Sequence, residues 1–154
     1  MDSEGAGRRR GAPGNVCEYG PLAGTMRVFW SLEGVQNLPQ GVRGGRSPLG
    51  PSAYIVRTDG SLAEHPDIIG AIQLQPGEQV GSRSAGGGGY GEPFDREPDR
   101  VLRDVREGYL SIGRAAREYG VAISGDAERF ETLAVDHEAT RSLRAGGSTP
   151  PVGG

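Results

Sequence analysis

Residues 85–93 read Ala-Gly-Gly-Gly-Gly-Tyr-Gly-Glu-Pro, and four consecutive glycines constrain this chain more than any other feature. Glycine loses more backbone freedom on folding than any other residue, so a folded segment keeps such a run only for a reason. Either the backbone takes positive φ, or it comes very close to a ligand or another stretch of chain. Two short helical patterns follow at once, which places the run inside the folded region. Three roles stay open for it: approach to the substrate site of a larger enzyme, approach to a neighbouring subunit, and a purely structural crossing. Gly86, Gly88 and Gly91 also satisfy the spacing of the dinucleotide fingerprint. In that fingerprint the last glycine opens the helix, so that the pyrophosphate meets the helix N-terminus. Here Glu92–Asp95 intervene and no Gly-Lys-Ser/Thr follows, which argues against nucleotide binding by this loop.

The rest of the composition points to dependence on further surface. The chain has 154 residues, 28 of them glycine and 11 proline. Leu, Val, Ile and Phe together make only about a fifth of it, near the floor for a self-sufficient core. A piece of a larger protein, or a subunit that borrows partner surface, is expected. All 17 cationic side chains are arginine, so Schiff-base, phosphate-loop and kinase-type lysines are excluded. Cys17 stands alone, without an internal disulfide partner or a cysteine metal cluster. No apolar run reaches the roughly 20 residues of a membrane span, and the start lacks the plan of a signal peptide. The expected location is the cytoplasm, with no membrane partner. Arg8-Arg9-Arg10 reads as a solvated loop whose arginines could touch phosphate or a carboxylate. In a chain of net charge -3 it is a poor nucleic-acid signal, and no nucleic-acid partner is expected.

The periodicity predicts an α+β fold: antiparallel strands and a hairpin, then a short helical pair, an incomplete core and a disordered C-terminal tail. Strands are expected at Val16–Tyr19, Met26–Leu32 and Tyr54–Arg57, the last ended by Asp59-Gly60. In the second, Met26, Val28, Trp30 and Leu32 alternate with Arg27, Phe29 and Ser31. Ile69–Leu74 and Gln79–Ser84 read as a hairpin about Gln75-Pro76-Gly77-Glu78, whose proline and glycine suit a type II turn. The loop between Glu33 and Ser52 is long enough to be functional or covered by other chain. A helix is expected from Pro98, with Val101, Leu102, Val105 and Tyr109 on one face, an Asp99–Arg103 pair outside, and Gly108 as the stop. Ser111 caps a second, with Ile112, Ala115, Ala116 and Tyr119 inward and Gly120 at its end. A short extended segment follows at Val121–Ile123. Asp136 caps a last turn or two through Ala139 and Leu143.

Candidate chemistry is sparse. His65 reads as an exposed loop histidine, and His137 lies beside Asp136 and Glu138, where a polar helix start explains it as well as a metal would. Trp30 and Phe29 read as packing residues of a sheet. No metal site and no catalytic constellation stands out. The tentative substrate or interface loop is Gly86, Gly87, Gly88, Gly89, Tyr90 and Gly91.

The block Gly86-Gly87-Gly88-Gly89-Tyr90-Gly91-Glu92-Pro93, then Asp95–Gly108, then Ala115-Ala116-Arg117-Glu118-Tyr119-Gly120-Val121, closely resembles the C-terminal end of the hydantoinase B/oxoprolinase family. Gly5–Gly14 is similar to that family's glycine-rich entry to its last β region. Asp59-Gly60-Ser61, Leu74–Glu78 and Val135–Thr140 fall in family order. The resemblance covers about residues 5–144, which leaves residues 1–4 as a leader and 145–154 as the tail. It implies a segment of an ATP-dependent amidohydrolase that opens five-membered cyclic amides of the hydantoin or 5-oxoproline type with an A-type subunit. ATP and a divalent metal are implied for the complete enzyme, without recognisable ligands here. Two alternatives accompany it, a non-catalytic assembly module or truncated fragment that binds an A-type subunit, and a piece of a ketone carboxylase subunit. The B-type members of the family are several times longer, so a C-terminal fragment, inactive in isolation, is expected.

Overall fold

The computed structural model describes residues 1–65 and 68–147. Eight strands precede or flank three helices in the order β1 (Val16–Tyr19), β2 (Met26–Ser31), β3 (Ser52–Val56), β4 (Leu62–His65), β5 (Ile69–Leu74), β6 (Gln79–Arg83), α1 (Pro98–Arg106), α2 (Ile112–Tyr119), β7 (Ile123–Ser124), β8 (Ala134–Val135) and α3 (His137–Gly146). The strands pair in antiparallel fashion throughout. One sheet has the order β1-β6-β3-β4; β2 pairs β5 and β7 pairs β8 as separate ribbons. The α+β class expected from periodicity is the one observed.

The Pro76-Gly77 turn forms as the sequence dictates. Glu78 N donates to Gln75 O at 3.0 Å, and Gly77 takes φ 86°. The strands on either side do not pair with each other, however. β5 joins β2 in one ribbon, and β6 crosses into the sheet between β1 and β3. A two-sheet corner satisfies the same turn chemistry as a hairpin, and the inward set decides between them: Leu74 and Val80 both pack with Val28 and Ile55. The hairpin of this fold is β3–β4, closed by Gly60 N to Arg57 O at 2.9 Å and by Asp59 Oδ1, which accepts from Ser61 N at 2.9 Å. His65 therefore ends strand β4, paired with Ala53, instead of lying in a loop. The alternation of β2 holds, with Val28 buried and Phe29 outside at 67% exposure. Phe29 is thus not a packing residue; Arg27 covers its ring at 4.9 Å, while Trp30 packs on the core and over Gly70.

The helical unit closes a second and larger core from Ala6, Val101, Leu102, Val105, Leu110, Ala115, Tyr119, Val121 and Leu133. Each Val or Leu side chain among them contributes roughly 1.5–3 kcal/mol on burial. α1 begins on Pro98, and Gly108 at φ 74° ends it. Tyr109 consequently leaves the helix face and is 38% exposed. The expected Asp99–Arg103 ion pair does not form. The Ser111 hydroxyl accepts from Arg114 N at 3.1 Å and caps α2. Gly120 closes it at φ 60°, with Gly120 N on Ala116 O and Val121 N on Ala115 O, a left-handed C-terminal cap. Asp136 Oδ1 accepts from Ala139 N at 2.9 Å and starts α3. That helix runs through Gly146, beyond the one or two turns expected; residues 148–154 of the expected tail lie outside the described residues.

Between the two cores runs a web of interlocked backbone. Residues 3–14, 40–49 and 86–91 lie against one another with carbonyls and amides interlocked. Gly5 N donates to Gly87 O (2.8 Å), Gly87 N to Ala12 O (2.8 Å), Val42 N to Gly89 O (2.8 Å), Gly89 N to Arg46 O (2.9 Å) and Arg46 N to Ala6 O (2.7 Å). The close approach expected of the glycine run is made to the chain's own segments. A Cβ on Gly89 would collide with Ala6 O, one on Gly86 with Ser3 O, one on Gly88 with Gln40 O, and one on Gly5 would sit 2.6 Å from Gly89 N. Within the expected leader, residues 1–4, Ser3 and Glu4 are buried; Ser3 O joins the web by accepting from Leu49 N at 3.0 Å, and Asp2 N donates to Tyr109 O at 2.9 Å.

Gly89→Ala must therefore push apart a pair of hydrogen-bonded backbones, and it should cost about 1–3 kcal/mol, as overpacking does. Gly113, on α2 with open space where its Cβ would stand, is the control. Gly113→Ala should stabilise by about 0.5–1 kcal/mol through helix propensity. Urea unfolding of both variants checks the pair; equal effects would contradict the web.

Candidate functional site

The glycine web carries two features on its flanks, an exposed rim and a buried ion cluster. At the rim Tyr90 bridges Arg9 on one side and Val42 on the other, and its ring is 44% exposed. The Arg43 guanidinium stands 5.7 Å from the ring centroid. Arg43 reaches that position from φ 51°, an uncommon conformation for a side-chain-bearing residue. A groove of 230 Å³ on the same flank is lined by Arg8, Arg9, Asp95, Glu97 and Arg100. Within the loop marked by the sequence, Tyr90 is exposed, whereas Gly86 and Gly89 are buried. The amides of Gly86, Gly87, Gly89, Tyr90 and Gly91 all donate to backbone carbonyls. A phosphate cradle needs those amides free. The geometry thus agrees with setting the dinucleotide reading aside.

The buried cluster is not legible in the sequence. Asp104 is 4% exposed and accepts from two arginines of different segments: Arg10 Nε at 2.9 Å on Oδ1 and Arg96 Nη2 at 2.8 Å on Oδ2. Arg96 also donates to Arg8 O at 3.1 Å, and Arg10 stacks over Tyr109 at 4.8 Å. Arg10 is therefore the member of the arginine triplet that meets a carboxylate, and it does so within the chain. Asp104 falls three residues after Val101 on the apolar stripe of α1, which is the signal that could have placed it inside. Glu4 is fully buried, with Arg114 Nη1 at 3.3 Å from Oε1 and Arg114 Nη2 donating to Glu4 O at 2.6 Å. The Tyr119 phenol completes the group. Burial, reinforced by the charge of Glu4, pushes it up to about 12. Burial likewise holds the Glu4 carboxyl above its ordinary value, against the pull of Arg114. These groups fasten residues 2–10 to the helical unit.

The remaining candidates are dispersed. His137 is exposed at the start of α3, whereas His65 ends a strand of the four-stranded sheet. Among the described residues no group of three or more His, Cys, Asp or Glu could hold a metal ion. No helix among them is long and apolar enough to cross a membrane. Between the four-stranded sheet and β2 lies a cleft of 470 Å³ whose walls include Tyr19, Trp30, Pro51, Ala53 and Val80.

Asp104→Ala would leave Arg10 and Arg96 facing a partly dry site without their shared counter-charge. Breaking a buried pair in this way costs about 3–5 kcal/mol, which denaturant unfolding should show. Glu4 gives a pH signature. Its folded carboxyl binds a proton more tightly than the unfolded one, so its contribution is full below the ordinary carboxyl range and is lost as pH rises through the folded value. Glu4→Gln should therefore gain stability relative to the parent as pH rises from the acid side; a difference that stays flat with pH would contradict this.

Known proteins share this fold and much of this sequence. The beta subunit of caprolactamase from Pseudomonas jessenii is 38% identical over 141 residues, 90% of this chain and 24% of its own length. The B subunit of a putative D-/L-hydantoinase from Pseudomonas sp. (strain NS671) is 32% identical over 140 residues, again 90% of this chain and 22% of its own. A crystal structure of ATP-dependent caprolactamase from Pseudomonas jessenii superimposes with a TM-score of 0.74 at 32% identity, over 94% of this chain and 24% of that one. The chain thus spans about a quarter of the length of the relatives it matches. The family profile of hydantoinase B/oxoprolinase matches residues 1–93, the web and strands β1–β6 included. The chain belongs to the hydantoinase B/oxoprolinase family.

Proposed function

We propose that this chain is the C-terminal region of a B-type subunit that, together with an A-type subunit, opens cyclic amides in an ATP-dependent hydrolysis. The five-membered hydantoin and 5-oxoproline rings are the substrates proposed first. The observation that carries the reading is the identity with a subunit named for caprolactamase, which extends over 90% of this chain. An amide carbonyl is a poor electrophile, and phosphorylation of its oxygen by ATP would activate the carbon for addition of water. Collapse of the adduct would break the ring C–N bond, the amine leaving with a proton, and a second water would hydrolyse the remaining acyl phosphate to carboxylate and phosphate.

The described residues do not fit a nucleotide or a metal. The loop amides are spent on backbone, the chain has no lysine, and no metal-ligand cluster is present among the described residues. ATP handling is accordingly assigned to the A-type partner, and the divalent metal to regions of the complex outside this chain. In this reading the glycine run is framework, and its rim at Tyr90, with Arg43 and the groove of mixed charge, is the region that meets substrate or partner surface. A cytoplasmic location accompanies the proposal. The competing reading is a non-catalytic assembly module that binds an A-type subunit.

The test is a chimera in which this chain replaces the matched quarter of the Pseudomonas jessenii beta subunit, assembled with that enzyme's partner subunit. ATP-dependent ring opening of caprolactam, hydantoin and 5-oxoproline is followed by phosphate release. Turnover on at least one ring within about tenfold of the parent enzyme is expected, a loss of no more than about 1.4 kcal/mol in the barrier. The isolated chain should show none. A chimera that assembles yet hydrolyses nothing would favour the assembly module, and turnover by the isolated chain would overturn the proposal.

A further inference from the structure

The two halves of the molecule are finished to different degrees. The helical half closes on a core of nine buried residues, whereas the β half has four: Val28, Ile55, Leu74 and Val80. Its apolar side chains are left outside, with Ile69 76%, Phe29 67%, Leu62 66% and Val16 63% exposed. Strand β1 pairs only with β6 among the described residues, so its outer edge presents free amides and carbonyls, and all four of its residues are exposed. An open edge of this kind is a template for another strand, and native sheets normally cover it. The β2–β5 ribbon is a second element in want of cover, since two strands alone are marginal in water.

Edge and cleft adjoin. Tyr19 pairs with Val80, so both point to the face that carries the small core, and both line the 470 Å³ cleft opposite Trp30. A strand added at the edge of β1 would extend that face by one row. Its inward side chain would enter the cleft beside Tyr19, while its backbone would satisfy the free groups of β1. The requirement is an extended, apolar, strand-forming segment. The relatives carry about three quarters of their length outside the region matched here, and that body needs a contact surface on this unit. The β4 edge lies on the opposite side of the sheet, and neither Leu62 nor Ala63 of that strand lines the cleft.

We propose that the edge of β1 together with the Tyr19–Trp30 cleft is the docking surface for the remaining body of the B-type chain, through β-strand addition with an apolar side chain seated in the cleft. The inference rests on the B-type reading given above. Cys17, the chain's one cysteine, lies in β1, is exposed, and shares the face of Tyr19 by strand alternation. It is a built-in reporter of whether that edge is covered.

The experiment measures alkylation of Cys17 by iodoacetamide, read peptide by peptide, together with amide exchange of residues 16–19. It compares the isolated chain with the chimera described above. In the isolated chain the thiol should react freely and the β1 amides facing outward should exchange within the dead time. In the chimera both should slow at least about tenfold, as access is lost. Tyr19→Lys in the chimera should restore Cys17 labelling. Equal labelling in both proteins overturns the proposal. Protection in the isolated chain, whether from a second copy or from self-closure, overturns it too, and that arm does not depend on the chimera folding. Ring opening with Cys17 still reactive sinks the docking surface alone; a protected Cys17 without ring opening sinks the B-type reading alone.

Discussion

Backbone meeting backbone with no room for a Cβ is the constraint on which this structure depends. Three stretches that are far apart in sequence, 3–14, 40–49 and 86–91, interlock through amide–carbonyl hydrogen bonds. Such proximity is available only to glycine, and the collisions a Cβ would make at Gly5, Gly86, Gly88 and Gly89 are with backbone atoms that cannot swing away. Apolar burial is modest in this chain, and the web supplies the connection that a larger hydrophobic core would otherwise make. It also places the rest. Residues 2–10 reach the helical unit because the web holds them there, and the Asp104 and Glu4 clusters form where they arrive.

The entropy side explains why charges reinforce this joint. Ordering a glycine-rich segment is costly per residue, about 1–2 kcal/mol in backbone entropy, and hydrogen bonds between amides return little of it net. Asp104 with Arg10 and Arg96, and Glu4 with Arg114, give the joint fixed, nearly dry contacts of long sequence reach. These charges stand in for packing that small residues cannot provide. They also act on their neighbour: burial, and then the charge of Glu4, push the Tyr119 phenol up to about 12.

Local chemistry is largely readable in this sequence and long-range pairing is not. Ser111, Gly120 and Asp136 cap where their side chains and φ angles require, and Pro98 and Gly108 bound α1, because those signals act within four residues. The alternation of β2 is equally plain. The partner of a strand is another matter. The same Pro76-Gly77 turn serves a hairpin or a corner between sheets, and the choice lies in Leu74 and Val80 converging on Val28 and Ile55. Strand β4 has no strong pattern of its own and exists through pairing with β3. The glycine run announces a close approach but not its partner, and Asp104 looks like a surface aspartate because its counter-ions come from 94 and 8 residues away. Function is legible in the sequence only as a family resemblance, which the comparisons turn into membership.

The most direct measurement is native-state amide exchange at Gly86, Gly87, Gly89, Tyr90 and Gly91, with and without ATP. If the glycine run is spent on the web, these amides exchange among the slowest in the chain, at a free energy near that of global unfolding, and ATP leaves them unchanged. Rapid exchange typical of an open loop, or slowing on addition of ATP, would contradict the account.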